Sequence, residues 1–267
     1  MNEVPRILGE CDHGLSVGSA LFFSIQCVVH VCEGEDLAYW RLSRRARILK
    51  APYTEGMSID FSNWQWTREP RAYEIKNNTE LTITTAPHTD LWQRTYYHFR
   101  NDSAPVFQMS TAEKFFSFTV RTDFAGQPGE VKHRFDQCGI VLYLDSENWL
   151  KGSIEYENDS FQHLGSVVTN QGYSDWATTE VPATTSSMWY RLSRREDDFC
   201  IECSDDGQTF HQMRICHLTA VQQNPDAPVT FGVYACSPED SSFTATFTDF
   251  ELGPCQWAAH DGQAAQY

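Results

Sequence analysis

The chain has 267 residues, enough for one large β domain or two small ones, and its 17 Phe, 11 Tyr and 8 Trp suffice for a sizeable core. Its formal net charge is −16, and residues 1–56 carry six basic against seven acidic side chains, so nearly all the excess negative charge lies in residues 57–267. Nucleic acids and anionic membranes are bound through clustered Lys and Arg, so the acidic body argues against both as partners. Neutral ligands such as sugars are compatible with it.

Residues 1–56 differ in character from the rest of the chain. Leu15–Cys32 is the only plausible membrane or signal segment, but polar residues interrupt it, and Glu3 and Glu10 stand where a signal peptide has basic residues. The basic stretch Arg41–Lys50 that follows would permit an inverted membrane anchor. The favoured interpretation is a weakly structured or accessory extension, with membrane attachment as the weaker alternative.

From Met57 onward, short runs rich in β-branched and aromatic residues alternate with turn residues, which predicts strands. The predicted strands are Leu81–Thr85, Tyr96–Phe99, Phe116–Thr122, Gly139–Leu144, Leu150–Tyr156, Ser166–Thr169, Trp189–Arg194, Phe199–Ser204, Gln208–Ile215, Thr230–Cys236 and Phe243–Leu252. Ser204–Gly207 is a strong hairpin turn, and His217–Gln223 is the one candidate for a short helix. The pattern predicts an all-β, two-sheet jelly-roll sandwich over residues 57–253 and a frayed tail over residues 254–267.

The segment Trp149–Glu157 shows the clearest alternation. Because successive side chains of a strand point to opposite faces, one face should receive the apolar set Leu150, Gly152, Ile154 and Tyr156. The opposite face should receive Trp149, Lys151, Ser153, Glu155 and Glu157. An aromatic ring, a cation and two carboxylates on one strand face predict a ligand-facing surface.

A series of short motifs runs in order from about Asp60 to Leu252. The motifs are Phe61 with Trp64, Thr89–Trp92, Asp136–Gly139, Trp149–Gly152 with Ile154–Glu155, Val167–Thr169, Ser174–Trp176, Trp189–Leu192, Ser204–Gly207, Gly232–Tyr234, Ser237–Pro238 and Phe247–Phe250. Together they resemble a family of concanavalin A-like proteins of unknown function, one branch of which is named for regulation of enolase. The resemblance implies a jelly-roll sandwich with a concave sheet, as in legume-type lectins and some glucanases, and it implies no established activity.

Flat aromatic side chains stack on sugar rings, and nearby amides and charged groups hold the hydroxyls. The predicted ligand-binding residues are Trp92, Gln137, Trp149, Lys151, Glu155, Asp175 and Trp176. The favoured function is therefore a non-catalytic carbohydrate or glycoconjugate-binding protein, or a regulator of carbohydrate metabolism that acts through protein contacts. Its expected partners are a carbohydrate or small-molecule ligand and a protein.

A glycoside hydrolase is the alternative, with Glu155 and Glu157 as its two carboxylates, because retaining glycosidases place two carboxyl groups about 5–5.5 Å apart. The sequence lacks the Glu-x-Asp-x-x-Glu strand motif of the glucanases of this fold class. The competing interpretation pairs Glu155 with Lys151, or with an arginine of another strand, and leaves Glu157 in solvent.

No metal and no cofactor are expected. Asp90, Asp136, Asp145 and Asp175 are scattered, whereas calcium takes about six to eight oxygen ligands, usually several of them from one loop. Nine cysteines without regular spacing, including one lone Cys-x-x-Cys at Cys200, fit a reduced, cytoplasmic protein better than a disulfide framework.

Overall fold

The structure is a computed structural model, and it describes residues 57–126 and 130–260. The expectations for residues 1–56, including the anchor alternative at Leu15–Cys32, lie outside the described residues. So does the end of the predicted tail after residue 260.

The described part of the tail is attached to the domain. The backbone N–H of Gln256 donates to Ser117 Oγ at 2.7 Å, and the carbonyl oxygen of Trp257 accepts from Arg195 Nε at 2.8 Å. These bonds extend the attached chain past residue 253, where the sandwich was predicted to end. The domain boundaries themselves stay a prediction.

Strands make up nearly all the regular structure of the described residues. The strands are β1 (Met57–Ser58), β2 (Gln65–Trp66), β3 (Ala72–Lys76), β4 (Glu80–Thr84), β5 (Leu91–Gln93), β6 (Arg100–Asp102), β7 (Val106–Thr111), β8 (Phe115–Asp123), β9 (Gln137–Asp145), β10 (Asn148–Tyr156), β11 (Phe161–Asn170), β12 (Tyr173–Pro182), β13 (Ser187–Arg195), β14 (Asp198–Ser204), β15 (His211–His217), β16 (Val229–Cys236) and β17 (Thr244–Gly253). The helix α1 spans Thr219–Gln223.

Two large antiparallel sheets form a sandwich. The eight-stranded sheet has the order β15-β14-β13-β8-β17-β4-β3, with β1 also paired to β17, and the seven-stranded sheet has the order β12-β11-β10-β9-β16-β7-β2. A separate hairpin joins β5 to β6. The all-β, concanavalin A-like jelly-roll fold is thereby confirmed.

The main core fills the space between the two sheets. Its aromatic centre includes Phe231 of the seven-stranded sheet, whose ring centroid lies 4.7 Å from that of Phe116 and 5.0 Å from that of Phe118 on the eight-stranded sheet. Leu150 and Ile154 of β10 point into this core, as the alternation predicts. All five side chains are at most 2% exposed, as in a closely packed interior.

The outer face of the seven-stranded sheet, which is turned away from the main core, has its own apolar cluster. Trp149 and Tyr143 pack there with Leu91 of the β5–β6 hairpin and with Ala104, which follows it. Arg94 anchors the hairpin by donating to the Glu147 carboxylate and to a backbone carbonyl in the β11–β12 turn. The hairpin thus covers one part of the outer face.

Some predicted elements were wrong. Tyr96–Phe99 is the turn of the β5–β6 hairpin and not a strand, because Tyr96, Tyr97 and His98 have φ angles of 64°, 62° and 57°. These left-handed conformations are incompatible with extended backbone. The edge strand β12 was missed because most of its side chains are exposed, so its sequence lacks the regular alternation of apolar and polar residues. The short helix was confirmed, although it begins two residues later than predicted.

Candidate functional site

Strand β10 lies in the middle of the candidate site, with β9 and β11 on its two sides. Glu155 is paired with Gln137 of β9 and with His163 of β11. One step along the same face, Ser153 is paired with two glycines, Gly139 and Gly165. A row of polar side chains therefore borders a row of very small ones on the outer face.

A network of hydrogen bonds joins the polar side chains of this face. Lys151 Nζ donates to Gln137 Oε1 at 2.9 Å, and the same oxygen accepts from the Tyr234 hydroxyl at 2.8 Å. Gln137 Nε2 donates to Glu155 Oε2 at 2.7 Å. The Tyr234 hydroxyl also lies 2.9 Å from Ser153 Oγ. The side-chain amide of Gln137 thus links a cation to a carboxyl group.

Lys151 is only 3% exposed, and its main charge partner is Asp90. Lys151 Nζ lies 3.6 Å from Asp90 Oδ1, and it lies 5.8 Å and 5.3 Å from the ring centroids of Trp149 and Tyr234. Asp90 directly precedes β5, so this ion pair ties the covering hairpin to the sheet. A buried ammonium group needs such a partner because its desolvation is costly.

Glu155 has a different environment from the one the sequence suggested. No described cation lies within ion-pair distance of it, since Lys151 pairs with Asp90 and Arg191 pairs with Glu202 at 2.7 Å. The interpretation that Glu155 forms an ion pair with Lys151 or with another strand's arginine was therefore wrong. Burial raises the pKa of Glu155 to about 7; Lys151 lowers it in part, and the nearby carboxylates Asp90 and Glu157 raise it further.

Glu157 is not free in solvent, contrary to the interpretation made from its position at a strand end. Its Oε1 lies 2.8 Å from Arg134 Nη2, and its Oε2 lies 4.0 Å from His163 Nδ1. Its side chain is 14% exposed. The two carboxylates of the hydrolase alternative thus differ, because Glu157 is neutralised by Arg134 and Glu155 is not.

Trp92 and Trp176 lie on the same side of the molecule, next to this network. Their ring centroids are 6.4 Å apart and their planes are nearly perpendicular, at 86°. Trp176 also meets the His163 ring edge to face at 5.7 Å. A Cβ atom on Gly165 would approach Trp176 Nε1 to 3.1 Å, so the indole lies closely over this glycine. Trp176 keeps 44% of its surface exposed, which leaves an aromatic surface open to a ligand.

Two predicted site residues are not part of the exposed candidate site. Trp149 is on the expected face but is fully buried beneath the hairpin, where it supports the sheet and presents no ring surface to solvent. Asp175 faces the opposite side of its strand from Trp176, and its Oδ1 accepts from Arg214 Nη2 of β15 at 2.6 Å. The structure therefore brings together Trp92, Gln137, Lys151, Glu155 and Trp176 and leaves Asp175 out.

Three participants were not among the predicted site residues: Tyr234, His163 and Asp90. Tyr234 belongs to the motif Gly232–Tyr234, and Asp90 to the motif Thr89–Trp92, but neither motif indicates which strand it meets. His163 is four residues before the motif Val167–Thr169, and only the register of β11 places it beside Glu155.

The four aspartates considered for calcium do not converge, since Asp90 is paired with Lys151 and Asp175 with Arg214. Among residues 57–126 and 130–260, one group has metal-ligating atoms close together, namely Asp197, Asp198 and His217. This group is at the surface, where His217 Nδ1 and Asp198 Oδ1 are 2.9 Å apart. Asp198 begins β14 and His217 ends β15 of the other sheet, and Asp197 directly precedes β14.

The six cysteines within the described residues are free thiols. Burial raises the pKa of Cys200 to about 12 and that of Cys203 to about 11, so neither is a ready nucleophile or metal ligand. In the same part of the chain, no helix is both long and apolar enough to span a bilayer.

These features define a concanavalin A-like β-sandwich in which one outer sheet face combines a buried polar network with a partly exposed aromatic rim. Residues 66–255 match the family described as protein of unknown function (DUF1349), and the chain belongs to that family. It is 28% identical over 208 residues to "Regulation of enolase protein 1" of Saccharomyces cerevisiae, and the match covers 78% of this chain and 98% of that protein.

Solved structures show the same architecture. The crystal structure of a functionally unknown protein from Saccharomyces cerevisiae superposes with a TM-score of 0.64 at 26% identity, covering 73% of this chain and 98% of that one. The GH43 protein BlXynB from Bacillus licheniformis superposes with a TM-score of 0.54 at 18% identity. That match covers 72% of this chain but only 38% of the GH43 protein, and it concerns the fold alone.

Proposed function

We propose that this protein binds a carbohydrate or glycoconjugate on the outer face of the seven-stranded sheet and does not cleave it. The observation that supports this most is the half-exposed indole of Trp176, set perpendicular to Trp92 at the edge of the Gln137–Glu155 hydrogen bond. Binding sites for small molecules commonly pair such flat apolar surfaces with a few fixed polar groups.

Each residue has a distinct part in this proposal. Trp176, with Trp92 beside it, stacks on the apolar face of a sugar ring. Glu155 accepts hydrogen bonds from hydroxyl groups, because among the described residues only Gln137 donates to it, through Oε2. Gln137 and Lys151 hold the carboxyl group of Glu155 in place, since both are at most 3% exposed and are bonded to each other.

Glycoside hydrolysis is the second candidate, and one observation favours it. A carboxyl group with a pKa of about 7, as in Glu155, is suited to general acid catalysis near neutral pH. The second carboxylate, however, is held by Arg134 at 2.8 Å, which lowers its reactivity as a nucleophile or base. We therefore rank hydrolysis below binding.

A regulatory role fits the same site. The yeast relative is named for regulation of enolase. We propose that this chain likewise acts in the cytoplasm on an enzyme of carbohydrate metabolism, through protein contacts that respond to the bound ligand.

A glycan-array screen with the full chain tests the binding proposal. Wild type should retain a defined set of glycans, and Trp176→Ala should lose them at least about tenfold, because stacking on the indole is removed. Tyr73→Ala is the matched control, since Tyr73 is 42% exposed but lies on β3 of the other sheet. Equal binding by all three proteins would contradict the proposed site.

Release of reducing sugar from glucans and galactosides separates the two candidates. We expect no turnover by the wild-type protein. Turnover that disappears in Glu155→Gln while the fold persists would establish the hydrolase and reject the binding proposal.

A further inference from the structure

The charged groups of the candidate site are not equally available to a ligand. Lys151 is almost fully buried and already bonded to Gln137 and Asp90, and Arg134 is bonded to Glu157. Both cations of the site are therefore satisfied within the protein. Glu155 is different, because the residues that the structure describes give its Oε1 no hydrogen-bond partner.

The aromatic rim, formed by Trp92 and Trp176, also favours a cationic ligand. The rings of Trp92 and Trp176 stand at 86° and form a corner, and His163 meets Trp176 on the side toward Glu155. The face of an indole ring carries partial negative charge and attracts cations more strongly than the ring of any other side chain. A cation in this corner would meet aromatic faces and a carboxyl group at once.

The net charge of the whole chain also favours a cationic ligand. The net charge is −16, and nearly all of it belongs to residues 57–267. Such a field raises the local concentration of cationic ligands and lowers that of anionic ones.

We infer that the ligand of the outer face carries a protonated amine, placed between Glu155 and Trp176, and that it is an amino sugar or an oligomer of one. The inference rests on the proposed carbohydrate-binding function and specifies its ligand class. It follows from an unbound carboxyl oxygen beside an aromatic corner, with both neighbouring cations already engaged.

Binding of an ammonium group should also displace a proton. Glu155 has a pKa of about 7 in the free protein, so below neutral pH it is mostly protonated, and a bound cation would favour its ionised form. The titratable and charged groups that face it are Lys151, Glu157, His163, Asp90, Tyr234 and Cys236. At about pH 6, where a sugar amine is still protonated, up to about one proton should be released per ligand.

The test compares three β-1,4-linked trisaccharides by calorimetry with the full chain at about pH 6: the glucosamine trimer, its N-acetylated counterpart and cellotriose. We expect the glucosamine trimer to bind at least about tenfold more tightly than the other two and to release protons on binding. Glu155→Gln should abolish both effects. Glu74→Gln, which removes a carboxylate that is 63% exposed on β3, should leave both unchanged.

The wild-type comparison of the three trisaccharides is the first test of the inference, and the Glu155→Gln variant is the second. Equal affinity for the three trisaccharides overturns the amino-sugar assignment and leaves carbohydrate binding intact. If the protein binds other glycans on the array but none of the three trisaccharides, the amino-sugar assignment is likewise overturned and carbohydrate binding stands. A preference for the glucosamine trimer that persists in Glu155→Gln also overturns the inference, because the amine would then be recognised elsewhere. If the wild-type protein retains no glycan on the array, the proposed carbohydrate-binding function itself is rejected.

Discussion

The two faces of strand β10 are both largely buried but differ in chemistry. Toward the main core, Leu150 and Ile154 are 0% and 1% exposed and pack among apolar side chains. On the outer face, Lys151 and Ser153 are 3% and 6% exposed, yet they are polar and hydrogen-bonded to neighbouring strands. Low exposure alone therefore does not identify a core.

This difference in chemistry indicates how much each face of β10 contributes to the stability of the fold. Apolar burial contributes roughly 25 cal/mol for each Å² removed from water, so the core face supplies most of the stability. A satisfied polar network contributes far less, because its groups exchange bonds with water for bonds within the protein. The polar face therefore contributes less to stability than the core face does, which is compatible with the binding role that we propose for it.

The largest expected effect is on the core face. Phe231→Ala should lower the free energy of unfolding by about 3–5 kcal/mol, because it removes a fully buried ring that packs on Phe116 and Phe118. Chemical denaturation of the purified variant measures this loss. A loss below about 1 kcal/mol would show that the core relaxes around the cavity and that the two faces differ less than we infer.

The ion pair of the outer face should give the next largest loss of stability. Asp90→Asn should cost about 2 kcal/mol, because it leaves the buried ammonium of Lys151 without its carboxylate. Lys151→Met in the same chain should restore most of the loss. A double-mutant cycle measures the coupling, and strictly additive effects would contradict the pairing.

Glu155→Gln should change stability in a pH-dependent manner. The pKa of Glu155 is raised from 4.5 to about 7 in the folded state, so between these values only the unfolded state loses the proton and wild-type stability falls as pH rises. The variant lacks this loss. It should be more stable than wild type by roughly 3 kcal/mol at about pH 8 and equal to it near pH 4.

Denaturation curves at several pH values test this expectation. Glu180→Gln, on the exposed part of β12, serves as the control and should show no such difference. A variant that is less stable than wild type at about pH 8 would show that the carboxylate is stabilised by a charge partner after all.

The smallest effect on stability is expected at the rim. Trp176→Ala should lower the free energy of unfolding by only about 1 kcal/mol, because much of the indole is exposed and its strand lies at the edge of the sheet. Thermal and chemical unfolding check this. A loss above about 2 kcal/mol would place Trp176 with the structural residues and remove the argument for a ligand surface.

The sequence predicts the fold well, and it also predicts which residues of β10 lie on each face of that strand. The alternation along β10 correctly assigns Leu150 and Ile154 to the core and Lys151 to the outer face, because the period of a strand is fixed. The long-range partners are not predictable in this way. Tyr234 lies 97 residues from Gln137, and only the order of strands in the sheet brings them together.

Local patterns also fail where tertiary contacts determine the conformation. Tyr96–Phe99 has the composition of a strand, but the hairpin that Arg94 and Glu147 anchor forces it into a turn. Trp149 has the spacing of a ligand-facing residue, and nothing in the sequence shows that Leu91 and the residues after it cover it. In both cases a distant segment overrides the local preference.

The side-chain amide of Gln137 determines which groups of the network donate hydrogen bonds and which accept them. Its oxygen only accepts, so Lys151 and the Tyr234 hydroxyl both donate to it, and Tyr234, having one hydrogen, must accept from Ser153. Its nitrogen donates onward to Glu155. The donors from Ser153 and Lys151 through Gln137 therefore point toward Glu155, while the second amide hydrogen of Gln137 goes to the Phe135 carbonyl oxygen. Polarisation adds along such a chain. We therefore expect a change of charge at Glu155 to alter, through Gln137, the hydrogen bond of the Tyr234 hydroxyl on another strand.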